Sequence, residues 1–173
     1  MRKSQLARVV LFGLLACGLA GQGGAAAQRG KRIPARPAAI CPDPTVRCRT
    51  SVPFEPHQLP FVVPANAVIF ETEKFYAVIL KSERDKTQDC TGFIPEAERL
   101  EAQKLFPRHK VFASRCFEPA ELYYEGVDPD VRFLAVYAGR TRAEAAAMLE
   151  KVKATGRFPG AYLKRTSTGF NGT

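Results

Sequence analysis

From residue 65 onward, apolar residues fall into strand-length runs and one-sided helical patterns, separated by polar stretches that favour turns. Val68-Ile69-Phe70 is a short strand-like run, and 71–74 turns into a second run over 75–82. Its core, Phe75-Tyr76-Ala77-Val78-Ile79-Leu80-Lys81, is nearly continuously apolar and suits a central strand. Residues 82–92 are polar and irregular. Pro95 suits a first helical position, and 96–106 follows as a helix with acids early and Lys104 late, stopped by Pro107. Residues 110–117 read as a further strand and 118–131 as an acidic loop carrying aromatic residues.

The plan then repeats. Residues 132–137 form a strand, and Thr141-Arg142-Ala143-Glu144 spells a capping box, in which hydroxyl and carboxylate satisfy opposite donors of a helical first turn. The helix runs to about residue 155, with Ala145, Met148, Leu149 and Val152 on one face, and Gly156 supplies a left-handed stop. A last strand covers 161–166. The order strand–helix–strand, loop, strand–helix–strand predicts an α+β fold of the ferredoxin-like split βαβ type. Its four-stranded antiparallel sheet carries both helices on one face, with an additional N-terminal strand. The halves also rhyme: Ala77-Val78 with Ala135-Val136, and Ala97-Glu98 with Ala143-Glu144. This domain is expected over 65–167, with 168–173 as a C-terminal tail.

Strand alternation directs Val78, Leu80, Leu134, Val136 and Leu163 toward the helices. Lys81, Arg115, Tyr137, Tyr162 and Lys164 are then expected on the opposite, open face or its rim. With Arg140 of the loop after the 132–137 strand, they form the candidate ligand-binding set, since aromatic and cationic side chains suit sugar rings and anionic groups. A competing expectation is an apolar patch where Ile79, Ala135 and Tyr137 cluster, suited to a protein partner.

Tyr137-Ala138-Gly139-Arg140-Thr141-Arg142-Ala143-Glu144-Ala145, with the strand before it and Leu149, Lys151 and Gly156 after it, resembles SPOR (sporulation-related repeat) domains. The resemblance spans 72–167 and is strongest over 132–166. It implies an exported bacterial module with a ferredoxin-like fold that binds peptidoglycan through the open sheet face.

The N-terminus points the same way. Arg2, Lys3 and Arg8 precede an apolar run from Val9 to Ala16, too short for the ~20 residues of a spanning helix. Signal peptide cleavage after Ala25-Ala26-Ala27 would leave 1–27 as the leader. Alternatively, Leu14-Leu15-Ala16-Cys17-Gly18 resembles a lipobox, in which Cys17 is acylated and anchors the chain to a membrane. Either exit leads to the periplasm or the outer membrane. Residues 28–64 hold eight of the thirteen prolines and read as a basic tether.

In an oxidising compartment, the four cysteines other than Cys17 are expected as disulfides. Three connectivities exist; the local scheme pairs Cys41 with Cys48 and Cys90 with Cys116. No CxxC occurs, and His57 and His109 lack ligand spacing, so no metal is expected. The net charge of +9 does not imply nucleic acid. Residues 1–49 hold nine bases and one acid, leaving 17 bases against 16 acids in the remainder, a net of +1. Asp128-Pro129-Asp130 reads as a turn, and Glu96, Glu98 and Glu101 as helix-dipole partners. No nucleophile or phosphate-loop motif occurs, so neither enzyme activity nor a cofactor is expected. The expected partner is peptidoglycan or, alternatively, an envelope protein complex serving secretion, motility or adhesion.

Overall fold

The structure is a computed structural model that describes residues 39–50, 59–64, 66–84, 94–114 and 122–171. In chain order the elements are β1 (Ile69–Glu71), β2 (Phe75–Arg84), α1 (Glu96–Leu105), β3 (Val111–Ala113) and β4 (Leu122–Tyr124). They continue with β5 (Val131–Tyr137), α2 (Arg142–Ala154), β6 (Tyr162–Thr166) and β7 (Thr168–Asn171). The fold is α+β with two antiparallel sheets, one of four strands ordered β3-β5-β2-β6 and one of three ordered β1-β7-β4. Among the described residues, no helix is long and apolar enough to cross a membrane. Cys17, Cys90, Cys116 and Arg115 lie outside the described residues.

Both helices bury against one face of the four-stranded sheet. Val78, Leu80, Leu134 and Val136 meet Ala102 of α1 and Ala145, Met148 and Val152 of α2, with Leu163 packed at the margin. α2 starts where the capping box places it: the Thr141 hydroxyl accepts from Glu144 N–H, and the Glu144 carboxylate accepts from Thr141 N–H at 2.8 Å. It ends before Gly156 at φ +65°. Pro95 stands one position earlier than expected, as the residue before α1 rather than its first member.

The opposite face is not open. Phe75, Ala77, Ile79, Phe112, Phe133, Ala135 and Tyr137 form a second core with Phe61 and Tyr124. The Phe61 ring stands edge-on to Phe75 at 5.0 Å and to Tyr137 at 5.5 Å. Tyr124 stacks on Phe112 and meets Phe133 edge-on. A strand buried on both faces needs apolar residues at every position, which is why β2 and β5 read as continuous runs. The apolar patch expected at Ile79, Ala135 and Tyr137 therefore exists, but the chain covers it itself.

Two boundaries change as a result. Residues 39–50 and 59–64, expected in the tether, belong to the fold. Ile40 pairs with Phe61 in an antiparallel bridge, flanked by Cys41 N–H to Pro60 C=O and Val62 N–H to Ala39 C=O, both 3.1 Å. Prolines block a long ladder there but leave room for such short extended pairings. Residues 168–171, expected in the tail, form β7, the middle strand of the second sheet. Phe170 packs there with Cys41, Cys48, Leu59 and Val63. Gly169 is required at this position, because a Cβ would come within 2.2 Å of the Tyr123 ring. β4 likewise lies inside the stretch expected to be a loop.

Candidate functional site

The sequence-derived site residues do not converge on one surface. Lys81 lies on the helix side. A β-bulge between Ile79 and Lys81 puts Lys81 opposite Leu134 and inverts the alternation, so its ammonium pairs with Glu83 at 2.7 Å and Glu98 at 3.1 Å. Tyr162, exposed on edge strand β6, and Lys164, whose ammonium donates to Gly126 C=O at 2.6 Å, share the covered side of the sheet. Tyr137 is only 7% exposed and cannot offer a ring face to a sugar. Arg140 hydrogen-bonds the Tyr137 side chain. Among the described members of the candidate set, Tyr137 and Arg140 come together at the end of β5, while Tyr162 and Lys164 lie two positions apart on β6.

Tyr137 lines a half-open pocket of about 310 Å³ at the end of β5, and Arg140 follows the lining residue Gly139 without lining the pocket itself. Ile40, Cys41, Pro42 and Pro44 form one wall; Arg108, His109 and Lys110 form another; Tyr137, Ala138, Gly139 and Glu144 complete it. Three local devices build it. First, Gln103, buried at the end of α1, donates to the carbonyls of Phe106 and His109, both at 2.8 Å. It also accepts from Val111 N–H at 2.9 Å, which fixes the turn carrying the basic residues. Second, Tyr137 N–H donates to Lys110 C=O at 2.9 Å and ties that turn to β5. Third, Gly139 at φ +98° lets the Glu144 carboxylate fold over it; a Cβ would lie 2.6 Å from that carboxylate.

The disulfide-closed loop Cys41–Cys48, with Cα atoms 5.3 Å apart, forms the outer side. Thr45 C=O accepts from the Arg99 guanidinium at 3.3 Å, which docks the loop on α1. Arg99 itself is buried and engaged: besides Thr45, it holds Glu96 through two contacts of 2.6 and 2.8 Å and donates to Val111 C=O.

The pocket's electrostatics are one-sided. The Glu144 carboxylate is occupied by Arg140 and Thr141, whose hydrogen bonds hold it below the usual carboxylate range. The Asp43 carboxylate is taken by the hydroxyl and N–H of Thr45, which lower it likewise. Burial, then Lys151, push the His109 imidazole below its ordinary value, so it is neutral near pH 7. Burial, with Arg99 second, pushes the Lys110 amine down to about 8. Lys110 is 2% exposed, and its Nζ has no hydrogen-bond partner. Arg108 is exposed at the rim. Sequence reasoning missed Lys110 because a lysine beginning a strand is ordinarily a solvated edge residue.

A second depression of about 360 Å³, lined by Leu122, Tyr124, Val127, Val131 and Phe133, offers little polar chemistry. Its acids are engaged: Glu125 with Lys74, and Asp128 with Arg84, while Asp128 also accepts from Asp130 N–H in the expected turn. Glu96, Glu98 and Glu101 are paired with Arg99, Lys81 and Lys104. No group of three or more His, Cys, Asp or Glu among the described residues is placed to hold a metal ion. No family model matches the chain, and neither a curated protein nor a solved structure does.

Proposed function

We propose that the chain is an exported, non-catalytic cell-envelope binding module with a ferredoxin-like core of the SPOR type. In this reading it engages peptidoglycan at the Lys110 pocket instead of across a bare sheet face. The observation that carries it is the basic wall of this pocket, Arg108 to Lys110, beneath a disulfide-closed loop, with Arg140 hydrogen-bonded to the lining residue Tyr137. Peptidoglycan is rich in carboxylates, and a pocket whose own acids are already engaged suits them. The leader-like N-terminus, the Cys41–Cys48 bond and the strand order β3-β5-β2-β6 with both helices on one face support the export and fold parts of the reading.

Purified sacculi should retain the full chain at moderate salt. The double variant Arg108→Ala/Arg140→Ala should lose most of that retention while keeping its unfolding midpoint. Retention no better than that of an albumin control rejects the peptidoglycan reading.

One observation favours a second reading, membership of an envelope protein complex. Val68 and Ile69 are 57% and 69% exposed beside and on β1, which among the described residues is an edge strand paired with β7 alone. Co-purification of a defined partner, abolished by Ile69→Lys and indifferent to peptidoglycan, supports that reading. Tyr137 packs inside the fold, so it is the wrong place for an interface variant.

A further inference from the structure

The backbone of β1 faces two ways. Phe70 stands opposite Phe170 of β7, and Thr72 N–H donates to Thr168 C=O at 2.9 Å. Main-chain groups alternate sides along an antiparallel strand, so Phe70 and Thr72 turn theirs toward β7, while Ile69 and Glu71 turn theirs away from it. Among the described residues β1 has no second neighbour. Nothing in the side chains blunts this edge: Phe70 packs inward, Val68 and Ile69 are exposed, and the run 68–71 holds none of the lysines or prolines that ordinarily guard an edge. Its charge is one-sided as well. Glu71 and Glu73 are both exposed. The Ser167 hydroxyl lies 3.1 Å from the Glu71 carboxylate and 2.9 Å from that of Glu125, but a hydroxyl carries one proton and serves one of them at a time. The Lys74 ammonium is committed to Glu125. Among the described residues no cation pairs with Glu71 or Glu73, in a chain whose net charge is +9.

We propose that β1 takes up an extended segment of a partner protein as a further antiparallel strand, with an apolar residue opposite Ile69 and a lysine or arginine opposite Glu71. This rests on the second reading above, membership of an envelope protein complex, and specifies its partner. The outward main-chain groups of Ile69 and Glu71 supply the pairing, and the side chains facing them select the sequence. The antiparallel sense follows the rest of the sheet, in which β1 and β4 both run antiparallel to β7. Glu73 follows Glu71 at the alternate position, so one partner strand meets both acids with basic residues two apart. The preferred segment reads basic-x-basic-x-apolar. The same two acids repel an acidic strand, which gives the edge its selectivity.

The test is a titration of the isotope-labelled, disulfide-bonded full chain with the peptide acetyl-Thr-Lys-Thr-Lys-Thr-Ile-Thr-amide, followed through the amide signals of Ile69 and Glu71. A counterpart with glutamate in place of both lysines should bind about fivefold more weakly or worse, as expected when two exposed charge pairs become repulsions. Methylating the main-chain nitrogen of the second lysine, which faces Glu71, removes a strand-pairing donor and should abolish binding. Glu71→Gln/Glu73→Gln should erase the lysine preference and leave the far-ultraviolet spectrum unchanged, since a glutamine amide still reaches Ser167. Equal binding of the two peptides, a preference that survives the double variant, or indifference to methylation overturns the inference. So does a dimer of the chain that Ile69→Lys dissolves, because a second copy then occupies the edge. If a partner co-purifies and is lost in Ile69→Lys, yet the lysine peptide does not bind at millimolar concentration, the inference falls and the complex reading stands. If the peptides behave as expected and no partner co-purifies, the edge site stands and that reading falls.

Discussion

On one face of the four-stranded sheet, the aliphatic side chains of Val78, Leu134 and Val136 meet Ala145, Met148 and Val152 from a regular helix. On the other, Phe75, Phe112 and Phe133 meet Phe61 and Tyr124, which come from an extended proline-flanked segment and a three-residue strand. A helix delivers an apolar residue every three or four positions, so modest side chains suffice to close a layer. An irregular segment delivers one or two inward side chains, so each must be large. Aromatic rings meet that need because they bury a large area with few rotatable bonds. The pocket lies where the irregular layer ends, at the meeting of the disulfide loop, the α1–β3 turn and the end of β5.

The contrast can be broken most directly at Phe61. Phe61→Ala should lower stability by ~3–5 kcal/mol in urea unfolding, as much as Met148→Ala on the helix face or more. An unchanged midpoint would mean that the segment detaches, which would reopen the sheet face. Next in size is the disulfide. Cys41→Ser/Cys48→Ser should cost ~2–3 kcal/mol, because the loop is docked on Arg99 and both half-cystines are buried. A loss under ~0.5 kcal/mol would return this loop to the status of a tether.

Lys110→Met should have the opposite sign. The lysine amine is held down at about 8 in the folded chain against an ordinary value of 10.5, so the unfolded chain binds the extra proton between them. The native chain is penalised below pH 8, and the penalty lifts as pH rises from 8 toward 10.5. Lys110→Met should therefore be more stable by roughly 1–3 kcal/mol at pH 7, with the gap closing by about pH 10.5. A gap independent of pH would show that the amine is solvated. The smallest effect belongs to the regular face: Thr141→Ala should cost ~1 kcal/mol by removing the α2 cap, without altering the aromatic layer.

What was legible in the sequence is what local periodicity and capping dictate. Residues 75–82, 132–137 and 161–166 emerged as strands within two residues of their observed ends. Thr141, Glu144 and Gly156 bounded α2, and the helix-facing set Val78, Leu80, Leu134 and Val136 was correct. Those signals lie within a few residues of the groups they govern. The continuous apolar run of β2 also announced that both of its faces are buried, yet nothing local says what covers the second. That depended on Phe61 and Tyr124, which lie 14 positions before Phe75 and 12 after Phe112. The bulge that moves Lys81 to the helix side is a matter of pairing register, which is set by the partner strand. The site shows the same division: Arg140 and the Gly139–Glu144 turn are local and could be named, whereas Lys110 became a buried, unpaired cation only once a loop closed by Cys41 and Cys48 was laid beside it. Burial is a property of what arrives from elsewhere in the chain, so only the tertiary structure could turn an edge lysine into a buried, unpaired cation.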